Sequence, residues 1–237
     1  MKINSENLPK VDFDQFSYNY RETLRSSTGL LRKSDVFFAS IKLHCLKNWV
    51  FIDDGSYEIL DFGCGIGSLS GFLAKDFPKS HIYGYDISQK CLSVGKQNNA
   101  GLKNVDFISD LPEGKKYDFI VVSNVFHHIK PEERADTLCF LKELLKVEGR
   151  IIIFEHNPFN PLTRFIVRSC PFDCDATLIW RHEFNYLTKV SGLEITKNFY
   201  ILFFPWSPKI FRRIEGLLKA VPLGAQYMLL LAGNKLV

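Results

Sequence analysis

The sequence lacks any apolar run of the length, about 20 residues, that a bilayer-spanning helix needs. Its first residues, Met1-Lys2-Ile3-Asn4-Ser5-Glu6-Asn7, lack the apolar core of a secretory signal. Charge of either sign is not in excess: 30 Lys and Arg against 26 Asp and Glu leave +4, too little to point to nucleic acid. Cysteine does not form a disulfide framework. Of Cys45, Cys64, Cys91, Cys139, Cys170 and Cys174, most sit inside apolar segments as small core residues would, which fits a reducing, cytoplasmic setting. Cys170-x-x-x-Cys174 has no second Cys or His pair at ligand spacing, so no metal is expected. Internal repeats and low-complexity tracts are also missing. What remains is 237 residues with 46% hydrophobic content, enough for one sizeable core.

What is there centres on Ile59-Leu60-Asp61-Phe62-Gly63-Cys64-Gly65-Ile66-Gly67-Ser68. The apolar run from Tyr57 to Phe62 predicts a buried strand. A helical pattern begins at Ser68, with Leu69, Phe72, Leu73 and Phe77 on one face. Strand, glycine turn and helix form the first unit of a doubly wound α/β sheet, whose ligands sit at the carboxyl ends of the strands. Glycines let a ligand lie against backbone, and the helix start offers free N–H groups. A dinucleotide turn needs Gly or Ala at the third position of G-x-G-x-x-G, and here that position is Ser68. Asp61 adds a carboxylate, a poor neighbour for a pyrophosphate and a good one for a cation. With these residues the chain resembles the class I S-adenosylmethionine-dependent methyltransferases, whose cofactor carries an ammonium and a sulfonium.

The later elements extend the resemblance over roughly residues 13–156. His81–Asp86 predicts a second strand ending in an acid roughly 20 residues past the glycine turn, where a carboxylate accepts from both ribose hydroxyls. Asp86 competes for the role of helix N-cap, which Ser88 is able to take. Val105–Ile108 predicts a third strand. The resemblance places Asp110 against the adenine amino group and the Leu111 N–H at a ring nitrogen, although Asp and Pro here also suit an ordinary turn. Tyr117–Ser123 predicts a fourth strand, and Asn124-Val125-Phe126-His127-His128-Ile129 resembles the family loop beside the transferable methyl group. A helix from Pro131 through Leu145 and a fifth strand over Ile151–Glu155 complete the set. The resemblance thus implies a Rossmann-like sheet of seven mostly parallel strands with an antiparallel last strand.

The flanks read less directly. Residues 1–50 predict an N-terminal helical lid, including a helix from Ser34 to Val50. Tyr18 and Tyr20 match the family's lid region, and Tyr20 is expected at the cofactor or cleft. Residues 51–156 form the cofactor-binding core. Residues 157–237 are the substrate-side elements and edge hairpin of the same single domain. Within them residues 207–221 read as an inserted amphipathic helix with Lys209, Arg212, Arg213 and Lys219 basic. Such a helix suits peripheral contact with an anionic membrane, or simply covers the sheet edge.

The cofactor contacts implied by the resemblance are Tyr20, Asp61, Phe62, Gly63, Cys64, Gly65, Gly67, Asp86, Ile87, Asp110, Leu111, Ser123, Asn124 and Val125. Methyl transfer from a sulfonium mainly requires the nucleophile to be held in line and water excluded. A hydroxyl or carbon acceptor also requires a base near neutral pH. His156, His127 and His128 all fall at carboxyl ends of central strands. His156 is the candidate base, with one of the adjacent pair as support; neighbours in sequence are expected to diverge. Asn157, Arg164 and Arg168 are candidate substrate contacts, with Asp173-Cys174-Asp175 as partners for hydroxyls. The expected acceptor is a sugar, a lipid-linked compound or a secondary metabolite. Nucleic acid is disfavoured, because no Asn/Asp-Pro-Pro-aromatic motif follows the fourth strand. A non-catalytic domain binding S-adenosylmethionine or S-adenosylhomocysteine stays open, as does an NAD(P)-dependent oxidoreductase. A monomer and a homodimer both fit.

Overall fold

The computed structural model describes residues 14, 19–27, 34–50, 55–174, 176–204 and 216–233. Helices α1 (Tyr20–Ser27) and α2 (Asp35–Trp49) precede β1 (Glu58–Phe62), α3 (Ser68–Asp76), β2 (His81–Tyr85), α4 (Gln89–Asn98), β3 (Val105–Ile108) and β4 (Tyr117–Ser123). Then follow α5 (Arg134–Glu143), β5 (Leu145–His156), α6 (Pro161–Ser169), α7 (Glu183–Ser191), β6 (Leu193–Ile201) and β7 (Gln226–Gly233). The sheet order is β3-β2-β1-β4-β5-β7-β6. The first five strands pair in parallel, and β7 runs antiparallel between β5 and β6. The reversal of winding falls between β1 and β4, and ligands of such sheets bind outside the strand ends at that point.

The strands are buried on both faces, so they read as continuous apolar runs whose side chains alternate between two cores. Ile59, Val121, Ile152 and Phe154 join α2 and α3 on one face. Leu60, Ile120, Val122, Ile151 and Ile153 join α5 and α7 on the other.

Several elements depart from the sequence expectation. The stretch after Pro131 is a short 3-10 turn over Pro131–Glu133 followed by α5, which stops at Glu143. Leu145 already pairs with Tyr117 in the sheet, and a register irregularity lets β5 start six residues before Ile151. Most of the inserted helix of residues 207–221 lies outside the described residues, as do Tyr18 and the side chain of Tyr20; of the helix, Gly216–Leu218 is seen as helical. The backbone of Tyr20 opens α1. The helix expected from Ser34 to Val50 is α2, and the expected cap of α4 is met: the Ser88 hydroxyl accepts from the Cys91 N–H.

The carboxyl edge of the first unit is held by one ring. Alanine Cβ atoms at Gly67, Gly84 and Gly95 would stand 2.4, 2.8 and 3.0 Å from Phe107. These three glycines, from the turn, β2 and α4, form the slot that β3 fills with Phe107. Gly67 also has φ +72°, which L side chains rarely adopt. Gly84→Ala is therefore expected to destabilise the chain by about 1–3 kcal/mol through overpacking. In urea unfolding, Phe107→Leu should relieve part of that loss, so the double variant should be less damaged than the sum of the singles. Strict additivity would overturn the slot.

Candidate active site

The glycine turn begins where β1 ends. Gly63, Gly65 and Gly67 all take positive φ, 75°, 52° and 72°. Their roles differ. A Cβ at Gly63 would meet Val125 at 2.5 Å and one at Gly67 would meet Phe107, so those two are demanded by packing. At Gly65 a Cβ would meet nothing within 4 Å, so this residue presents bare backbone to open space. Asp86 fastens the turn: Gly65 N–H donates to its Oδ2 at 2.8 Å, and Ser88 N–H donates to its Oδ1 at 2.9 Å. Burial raises the Asp86 pKa against the pull of those bonds. Ile87, exposed at 45%, and the exposed Asp110 flank the same edge. The Phe62 side chain lies in the core, stacked on Tyr85 at 5.1 Å between ring centres, so only its backbone reaches the turn.

Asp61 lies below the turn, 1% exposed, and accepts from the Ser70 hydroxyl at 2.6 Å. Burial pushes its pKa up to about 6, with the Ser70 bond and the Lys42 charge pulling the other way. The sequence pattern does not disclose Lys42. It sits on the apolar side of α2 beside Ile41 and Cys45, and its ammonium donates to the Ser123 hydroxyl at 2.6 Å and to Asn124 Oδ1 at 3.1 Å. Burial lowers its pKa to about 8, with Glu155 and Asp61 resisting. A charged residue inside an apolar helical stripe was the one available signal.

Asn124 ends β4 in the left-handed region, φ 57°, a conformation Asn tolerates better than most residues. Lys42 and Gln226 Nε2, the latter 3.3 Å away, both donate to Asn124 Oδ1, which turns Asn124 Nδ2 toward His156 Nε2 at 3.1 Å. His156 is thus set as an acceptor at this nitrogen. Burial and the neighbouring His127 charge hold its pKa near 4, so the ring is neutral at pH 7.

The next layer is ionic. Glu155 is fully buried and accepts from Phe126 N–H at 2.7 Å, His127 Nδ1 at 2.7 Å and His156 N–H at 3.2 Å. Burial opposes its charge, but His127 outweighs that and holds the Glu155 pKa near 2. For His127 burial likewise works to lower the pKa; the Glu155 charge and contact with Asp173 overcome it and raise it to about 9. His127 is therefore an imidazolium at neutral pH, while His156 is not. His127 and His128 do not diverge. On the 3-10 turn Phe126–His128 both aim Nε2 at Asp173 Oδ1, at 3.4 and 3.5 Å. A 3-10 turn advances about 120° per residue, and here the side-chain torsions bring the two rings back to 4.1 Å between centres.

The three expected substrate contacts differ in setting. Asn157 is 3% exposed; its Nδ2 donates to Pro222 and Gly224 carbonyls and its Oδ1 accepts from Phe159 N–H, so it closes a loop. Arg164 and Arg168 are exposed on α6. Asp173 serves the histidines rather than standing open to hydroxyls, and Asp175 lies outside the described residues.

Residues 60–151 match a family model described as a methyltransferase domain. Over that stretch the chain is similar to methyltransferase domains. A malonyl-(acyl-carrier protein) O-methyltransferase of Ilyobacter polytropus is 31% identical over 173 residues, covering 70% of this chain and 62% of the relative. One of Halalkalibacterium halodurans is 35% identical over 113 residues, covering 44% and 41%. The chain thus spans about half the length of these relatives. Among solved structures, the magnesium protoporphyrin IX methyltransferase of Synechocystis with bound S-adenosylhomocysteine aligns at TM-score 0.64 and 18% identity, covering 93% of this chain and 97% of that one. A TehB-like methyltransferase from Corynebacterium glutamicum aligns at 0.60 and 16%, covering 94% and 98%. At such identity these two structures show the shared fold alone. The matched span holds the glycine turn, Asp61, Asp86, Asp110 and the Asn124–Ile129 loop; Lys42, Glu155, His156 and Asp173 lie outside it.

The buried Asp61 has a stability consequence. Its carboxyl pKa is raised in the fold from 3.8 to about 6, so the folded chain binds that proton more tightly than the unfolded chain. Stability contributed by protonation is present below pH 3.8 and is lost as pH rises to about 6. Above that, the buried charge costs at most about 3 kcal/mol. Asp61→Asn should raise the melting temperature at pH 7 and flatten the pH dependence between 4 and 6, read by calorimetry; an equal or lower melting temperature would contradict this account.

Proposed function

We propose that this chain is an S-adenosylmethionine-dependent methyltransferase acting on a small-molecule acceptor. The observation that carries the reading is the turn in which only Gly65 faces open space and Asp86 grips that glycine from β2. The residues present suit the cofactor. Asp86 keeps lone pairs for two ribose hydroxyls beside its backbone bonds. Asp110 and the Leu111 N–H offer an acceptor and a donor to the adenine edge, with Ile87 against its face. Asp61 supplies negative charge under the turn for a cationic amino-acid end. The bound cofactor would supply an electrophilic methyl group on a sulfonium. Ser123, Asn124 and Val125 border the turn on its acceptor side, and Tyr20, on the helix beside α6, is inferred to cover it.

The chain's own part is to position the acceptor and take its proton. His156 is neutral near pH 7, so we assign it the base: the Nε2 lone pair that Asn124 holds in place would take the proton once an acceptor hydroxyl displaces the amide. His127 is charged and acts as support. A conjugate acid with pKa about 4 makes His156 a weak base, which suits an acceptor whose proton is already acidic. Among sugars, lipid-linked compounds and secondary metabolites, this favours those offering an acidic oxygen. The relatives named malonyl-(acyl-carrier protein) O-methyltransferases would, by that name, act at a malonyl group, whose carboxylate needs no base at all.

Thermal shift separates the cofactor readings. S-adenosylhomocysteine at a hundred times its dissociation constant should add about 2.7 kcal/mol of stability and NAD none; a shift with NAD alone would return the oxidoreductase reading. Asp86→Ala should lose most of that shift. With labelled S-adenosylmethionine and fractionated lysate, His156→Ala should keep the shift and lower methylation by about 10²–10⁴-fold, the contribution of a positioned base. An unchanged rate removes the base assignment. Label in the lipid rather than the water-soluble fraction would support membrane contact through residues 207–221. Binding with no turnover leaves a ligand-binding domain.

A further inference from the structure

The polar floor contains one arrangement that methyl transfer does not call for. Asp173 Oδ1 stands 3.4 Å from His127 Nε2 and 3.5 Å from His128 Nε2. These distances are long for charge-assisted hydrogen bonds, which fall at about 2.7–2.9 Å. The same His127 makes such a bond at its other nitrogen, 2.7 Å from Glu155. Ligand atoms held by one tetrahedral ion at about 2.0–2.1 Å stand about 3.3–3.4 Å from each other. One carboxylate oxygen nearly equidistant from two imidazole nitrogens at that separation has the spacing of a shared ion. All three ligand atoms lie within 4.8 Å of one another.

The surroundings fit as well. Metal-bound histidine usually donates its second ring nitrogen to a carboxylate, which fixes the tautomer and the ring angle. Glu155 does this for His127, and is itself held by the Phe126 and His156 N–H groups. Glu155 and Asp173 bring two carboxylates beside the histidines, and Lys42, bonded to Ser123 and Asn124, acts electrostatically on Glu155. The rim is not sealed: His128 and Asp173 keep 9% and 11% of their side chains exposed, which leaves an entry.

We infer that His127, His128 and Asp173 form a binding site for a divalent first-row metal ion of the zinc class, with Glu155 as the carboxylate that orients His127. The sequence spacing gave no sign of it, because Asp173 is far along the chain from the two histidines and only the 3-10 turn at Pro171–Asp173 delivers it. Two imidazoles and one carboxylate leave a fourth position for water or an acceptor oxygen, the pattern of catalytic rather than structural zinc. The ion would replace the Nε2 proton of His127 and keep positive charge at that place, so its binding is measured apart from any methyl transfer.

The test uses the full chain, stripped with a chelator and dialysed against Zn²⁺ at pH 7.5, with retained metal measured by plasma mass spectrometry. One equivalent per chain is expected, and Asp173→Asn and His128→Ala should each lower affinity by about tenfold or more. Cys174→Ser should retain the ion. Wild type that retains none, or variants that retain a full equivalent, would overturn the site. A spectroscopic measurement on the unmutated chain guards against a folding defect. Loading with Co²⁺ should give visible bands of a nitrogen and oxygen site; a strong near-ultraviolet thiolate band would place the ion on Cys170 or Cys174 instead and sink the proposal.

Discussion

A carboxylate cut off from water has to be neutralised by its neighbours, and Glu155 imposes that demand at the centre of this molecule. A buried, unpaired charge costs several kcal/mol. Glu155 sits at the carboxyl end of β5, with no exposed surface. It takes hydrogen bonds from the β4 loop at Phe126 and His127 and from its own neighbour His156. The loop after β4 is thereby locked to β5, and the His127 ring angle follows. That ring in turn sets how Asp173 approaches, and its charge helps keep His156 neutral. His127 and His156 thus differ in charge, with Glu155 holding the proton on His127.

The glycine turn obeys a separate constraint, that of space. Two of its three glycines are required because Val125 and Phe107 occupy the volume a side chain would need. Only Gly65 is left for a ligand. The same motif therefore serves packing and binding, and substitutions at its three positions should not be read as equivalent. Phe107 links this edge to β2 and α4, so the geometry of the turn depends on a ring from β3.

Between these two sites runs a polar bridge. Lys42 spans from α2 to the end of β4, and Asn124 passes its orientation on to His156, with Gln226 from the antiparallel β7 on the other side. Asp61 and Glu155 both favour the charge of the Lys42 ammonium. Asp61 under the glycine turn and Glu155 at the end of β5 are in this way coupled electrostatically through one lysine.

The sheet was legible in the sequence because buried parallel strands are continuous apolar runs, and the turns between them carry Gly, Asp and Pro. Asp61, Gly65, Asp86, Asp110 and the Asn124–Ile129 loop were legible for the same reason: each ends a strand, and strand ends fall on one edge. The start of β5 was not, since Lys146, Glu148 and Arg150 look like a helix end and join the sheet only through a register irregularity. Asn157 was misjudged because nothing local distinguishes an amide that closes a loop from one that faces a cleft. Sequence alone determined which strands form the sheet and which residues stand at its carboxyl edge, since periodicity and turn chemistry are local. Only the tertiary structure decided that Lys42, separated from Ser123 by 81 positions, is buried at that edge, and that Glu155 and Asp173 close on His127 and His128. Those are long-range contacts between charges, and a charge reveals its partner only when folding has removed the water between them.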